Sequence, residues 1–169
     1  MKENSSIKEK ALHPEQVAKK DAAAAAVSMR EGASGAEECG GELDERICTA
    51  LRAASDKKGL DLVVLDLRAI ASFTDYFLII SATNTRQVQA ISDEIVEQLK
   101  KRGTRAARVE GYNTAEWVLV DYGDFVVHVF EDKARRFYDL ERLWRDASRV
   151  RLPADLAGDE QESSLRKES

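Results

Sequence analysis

The chain has 169 residues, of which 43% are hydrophobic, 34% charged and 7% aromatic, enough for one domain with a sizeable core. Its 26 basic and 31 acidic side chains give a net charge of −5, which argues against wrapping a phosphate backbone, a task that needs a concentrated positive field. The two cysteines, Cys39 and Cys48, make neither a disulfide framework nor, without both histidines, a four-ligand zinc site, and no apolar run approaches the roughly 20 residues that span a bilayer.

Residues 1–41 hold no aromatic side chain; all eleven Phe, Tyr and Trp residues lie between Phe73 and Trp144. A stretch of scattered alanine, glycine and charge buries too little apolar surface to offset its ordering entropy, so a disordered N-terminal extension is expected over 1–41. The same composition predicts a disordered polar tail over 151–169, leaving a folded unit at 42–150. With no signal core at the N-terminus, the sequence is read as cytoplasmic, without a targeting segment.

Within that unit, Leu43, Ile47, Leu51 and Ala54 recur at helical spacing, with Gly59 as the expected stop. Asp61 to Leu67 reads as a strand, and Tyr76 to Ala82 as a second, central one, apolar on both faces. Asn84 or Thr85 caps a helix running to about Arg102, with Val88, Ile91, Ile95 and Leu99 inward and basic residues at its negative end. Gly103 ends it. Ala106 to Glu110 is a third strand, and Trp117 to Asp121 and Phe125 to Phe130 form a hairpin around Tyr122 and Gly123. A last helix is predicted over Lys133 to Arg149, presenting Phe137, Leu140, Leu143, Trp144 and Ala147 to the core. The order implies an α/β fold, a mixed five-stranded sheet with packed helices.

Catalytic signals are weak. The sequence contains no glycine-rich phosphate loop, nucleophile elbow or zinc-protease motif. His128 lies in a strand, where a lone histidine is ordinarily structural, and Cys48 lies in the first helix as a small packed residue. Asp121 and Asp124 flank a hairpin turn, where aspartates form turns more often than metal sites. No catalytic, cofactor or metal residue is therefore assigned. The binding signal is stronger: Glu110 to Trp117 is a loop with two aromatics feeding a strand, and the last helix adds Arg135, Arg136 and Tyr138. Trp144 is expected in the core; the residues alone leave Trp117 and Tyr138 open between core and surface.

Several ordered motifs carry a resemblance. They are Ser72-Phe-Thr-Asp-Tyr-Phe-Leu-Ile-Ile-Ser81, Thr85-Arg-Gln-Val-Gln-Ala-Ile91, Val109-Glu-Gly111, Ala115-Glu-Trp-Val-Leu-Val-Asp-Tyr-Gly-Asp124, Val126-Val-His-Val-Phe130, and the spaced set Arg135, Tyr138, Leu140, Glu141, Leu143 and Trp144. Together, over about residues 43–147, they resemble the ribosomal silencing factor family, RsfS or Iojap. The resemblance implies a nucleotidyltransferase-like domain without catalytic apparatus that needs no cofactor. It implies binding to the large ribosomal subunit through its fourteenth protein (uL14), obstructed joining of the small subunit, and lowered translation when nutrients are short. It allows a homodimer. By motif match Trp117 and Tyr138 are the leading contact residues, with Glu110, Glu116 and Arg135 beside them; neither a membrane nor a specific nucleic-acid sequence is an expected partner. The competing expectation, a metal-dependent nucleotidyltransferase, would want Gly-Ser followed by paired aspartates on one strand, whereas the chain has Ser81-Ala82 and no Asp-x-Asp in the folded unit.

Overall fold

The computed structural model describes residues 43–157; the expectations for the N-terminal extension and for the end of the tail lie outside the described residues. Helix α1 spans Glu45–Asp56, and the Asp44 carboxylate accepts the Arg46 N–H at 2.8 Å to satisfy one of the free donors of its first turn. The helix ends through a pair of closing bonds, Gly59 N–H to the Ala54 carbonyl and Lys58 N–H to that of Ser55. The left-handed residue of that motif is Lys58, at φ 64°, and not the glycine that the sequence suggested. Gly59 serves a different need: a Cβ there would stand 2.9 Å from the Ala54 carbonyl oxygen and 3.0 Å from Ile80 Cγ2.

Strands β1 (Leu60–Asp66) and β2 (Tyr76–Ala82) pair antiparallel, with an irregularity between Leu60 and Val63 where Asp61 takes φ 49°. Helix α2 (Thr85–Lys101) starts on Asn84, whose side chain accepts the Gln87 N–H, and ends at Gly103 in the left-handed region at φ 87°. Strands β3 (Arg108–Glu110), β4 (Trp117–Asp121) and β5 (Phe125–Glu131) follow as antiparallel neighbours. β5 lies parallel to β2, so both are interior strands buried along almost their whole length.

The predicted last helix is broken. Helix α3 covers Asp132–Tyr138, Asp139 takes a left-handed φ of 46°, helix α4 covers only Leu140–Leu143, and Ser148–Arg149 forms a short strand β6 on the edge of β1. The sheet therefore has six strands, in the order β3-β4-β5-β2-β1-β6. Two side-chain demands oppose a straight helix: Leu140 is buried, whereas Phe137 and Leu143, expected inward, are 78% and 51% exposed. Ser148 and Arg149 also hydrogen-bond to a strand edge that would otherwise leave its backbone groups unpaired.

Alternation along the strands sorts side chains to two faces. Leu78, Ile80, Val118, Val120, Val127 and Val129 pack under α1 and α2. Phe77, Ile79, Trp117, Leu119, Val126 and Phe130 pack under α3, α4 and the segment carrying Leu67 and Phe73. The first core also takes in Leu156, only 5% exposed, with Val150 and Leu152 against it, so packed structure continues past residue 150 into what was expected to be tail.

Candidate partner-binding site

The face under α3 and α4 carries most of the candidate residues. Directly opposed residues on paired strands share a face, so the rows Glu110, Leu119, His128, Ile79 and Trp117, Phe130, Ser81 run side by side across the sheet. The approach to β4 is tightly shaped. Gly111 and Ala115 both take positive φ, the Tyr112 hydroxyl donates to Asp93, and Gln89 Nε2 donates to the Tyr112 carbonyl. The loop is thereby tied to α2, and Trp117 enters the sheet pointing inward.

Trp117 is 1% exposed, so its ring is a floor and not a surface. It stacks on Phe130 with ring centroids 4.8 Å apart, and Tyr138 lies against it at 4.8 Å. Its indole N–H donates to His128 Nδ1 at 3.1 Å. His128 is itself fully buried, and that burial lowers its pKa to about 3, so the ring is neutral and carries its proton on Nε2. Tyr138 closes α3, half-buried, with Phe137 edge-on to it at 5.1 Å. Phe137, expected to face the core, is exposed instead. The signal against a core placement was its adjacency to Tyr138: residues one apart on a helix point about 100° apart and do not both face the same core.

Arg135 acts inside the domain. Its Nη1 donates to Ser81 Oγ at 2.8 Å and to the Asp61 carbonyl, while Nε and Nη2 reach Glu141 Oε1 at 3.0 Å. Glu141 Oε2 in turn accepts from Arg149 at 2.8 Å. The guanidinium thus straps α3 to β1, β2 and α4. Glu110 is half-buried on the edge strand with Arg108 at 3.6 Å, and Glu116 is exposed just ahead of β4, its backbone carbonyl accepting the Glu131 N–H. Trp117, Tyr138, Arg135 and Glu110 therefore gather on one side of the sheet, and Glu116 sits at its lip.

Asp121 and Asp124 do turn work. Asp121 Oδ1 accepts the Gly123 N–H at 2.8 Å, and Asp124 pairs with Arg46 at 2.8 Å. Among the described residues no three His, Cys, Asp or Glu side chains are grouped to hold a metal ion, and no helix is long and apolar enough to cross a membrane.

The architecture is an α/β domain on a mixed sheet, with helices on both faces and an aromatic layer under a broken helix. The family model described as "Ribosomal silencing factor during starvation" matches residues 41–169. A ribosomal silencing factor of Halalkalibacterium halodurans is 43% identical over 108 residues, covering 64% of this chain and 92% of that one. The Bacillus subtilis factor of the same name is 46% identical over 98 residues, 58% of this chain and 83% of that protein. The crystal structure of a Chromobacterium violaceum protein, 33% identical, superposes with a TM-score of 0.60 over 70% of this chain and 98% of that one. The chain belongs to the ribosomal silencing factor family, whose members regulate translation.

Proposed function

We propose that the protein binds the large ribosomal subunit through its fourteenth protein (uL14), using the face formed by α3 and the start of β4, and so keeps the small subunit from joining. The observation that carries this reading is the pairing of an exposed Phe137 with a Tyr138 that rests on a buried Trp117. Aromatic anchors backed by a rigid floor lose little side-chain freedom on docking and bury much area, the combination found at interface hot spots. The chain's net charge of −5 suits a basic ribosomal protein while discouraging indiscriminate RNA binding. No bond chemistry is required, since a domain seated on the docking surface excludes the small subunit in proportion to its occupancy. The starvation named by the family description fits a factor that lowers translation when nutrients are short.

Sucrose gradients test the reading. The protein is expected to travel with isolated large subunits, not with small ones, and to reduce reassociation when both are mixed. Full reassociation at saturating protein would discard the antiassociation mechanism, and co-sedimentation with small subunits alone would discard the partner.

A further inference from the structure

We propose that His128 is a positioning residue for the partner-binding face, its Nδ1 lone pair holding the Trp117 ring in the one orientation that supports Tyr138. The inference rests on Tyr138 being a partner contact, as argued above. Its geometry is local and complete. The Trp117 side chain has a single polar group, the indole N–H, and among the described residues its acceptor is His128 Nδ1 at 3.1 Å. Turning the indole over about its Cβ–Cγ bond would bury the N–H without a partner, so the hydrogen bond selects one of two ring faces. The selected ring is the one that stacks on Phe130 and touches Tyr138. His128 is well placed to dictate this. It sits mid-strand in β5, with Leu119 of β4 on one side and Ile79 of β2 on the other, and the Phe77 ring packs against its imidazole at 4.5 Å.

The other side of the imidazole argues that stability alone does not explain the residue. Nε2, which carries the proton, is buried and has no hydrogen-bond partner among the described residues. A phenyl ring would remove that orphan only by leaving the Trp117 N–H unpaired in its place, so counting buried donors does not favour the imidazole, and what it adds is a fixed orientation of the indole. Because burial keeps the ring neutral, the Nδ1 lone pair stays available across the ordinary pH range.

The test uses the full chain and two substitutions. His128→Phe keeps a ring but removes the acceptor; His128→Asn restores an acceptor oxygen near the Nδ1 position. Affinity for isolated large subunits is expected to fall about tenfold in His128→Phe and to recover most of that loss in His128→Asn. The Trp117 indole N–H signal in a proton–nitrogen NMR spectrum, assigned with Trp117→Phe, should exchange slowly in the wild type and in His128→Asn and quickly in His128→Phe. Adding His128→Phe to Trp117→Phe should weaken binding no further, because the donor is already gone. Wild-type affinity in a folded His128→Phe, or equal loss in the Phe and Asn variants, overturns the proposal. Should His128→Phe fail to fold, Trp117→Phe alone carries the test, and unchanged affinity there overturns it equally. Tyr138→Ala separates the two levels. Unchanged affinity in that variant sinks the surface itself, whereas a weak Tyr138→Ala beside a wild-type His128→Phe sinks only the positioning role.

Discussion

Tyr138 and Trp117 touch one another but should respond differently to truncation. Tyr138→Ala removes a half-exposed anchor and is expected to weaken large-subunit binding by about thirtyfold, roughly 2 kcal/mol, with little change in the melt. Trp117→Ala empties a core position and should cost about 3 to 5 kcal/mol of folding stability, read as a lower denaturation midpoint. Sequence left Trp117 open for a physical reason: β4 is buried on both faces, so the polar alternation that marks a wet side is missing. His128 makes a further prediction. Its folded pKa, lowered to about 3 by burial, lies below the ordinary value of 6.5, so the unfolded chain binds the extra proton first as pH falls. The stability contributed by the neutral ring is therefore full above pH 6.5 and is lost as pH drops towards 3, at up to about 1.4 kcal/mol per pH unit. Denaturant melts across that window should show the slope in the wild type and a flatter one in His128→Phe; equal slopes would contradict the assignment of the titration to this ring.

The helix ends make two glycines distinguishable at the scale of elements. Gly59→Ala places a methyl against the Ala54 carbonyl and Ile80 and should destabilise by about 1 to 3 kcal/mol through crowding. Gly103→Ala meets nothing within 4 Å among the described residues, yet forces alanine to φ 87°, and should cost about 1 kcal/mol from backbone strain alone. Thermal melts of the two variants check both, and a neutral Gly59→Ala would mean that the α1–β2 contact yields easily. Element identity was largely legible: β2 and β4 match their expected bounds, and α2 lies within a residue of its own, because their caps and apolar spacing are local signals. The last helix was not legible as it stands. A left-handed Asp139 is set by tertiary demands, the Arg135 strap and the pairing of Ser148 and Arg149 with β1, and no local propensity announces it. Strand β6 was missed for the same reason, being two residues long and defined only by its neighbour.

For the whole molecule, the placement of Leu156 moves the functional boundary of the fold. A chain cut after residue 150 loses the buried Leu156, the packing of Leu152 and the Arg52–Asp155 pair, and should be about 2 to 4 kcal/mol less stable than one cut after residue 157. Equal melting temperatures for the two would show that this segment adds no stability. The two-faced α/β arrangement was readable from the order of periods, while the last stretch of core was not, since Pro153 and the charged residues around Leu156 read as tail composition.

The parallel pairing of β2 with β5 also governs how the molecule is assembled in time. Tyr76 opposes Phe125, so the intervening helix and two strands must be looped out before the central pair closes, and such distant closure is entropically slow. The β1–β2 and β4–β5 hairpins can form early as independent local units, leaving their union as the barrier. Substitutions where β2 meets β5, such as Ile79→Val, should then slow refolding, whereas changes in β6 or α4, which dock afterwards, should chiefly hasten unfolding. The Trp117 floor combines β4 and β5 with α3, and Arg135 ties α3 to β1 and β2, so the proposed partner-binding face is complete only once the two hairpins have joined.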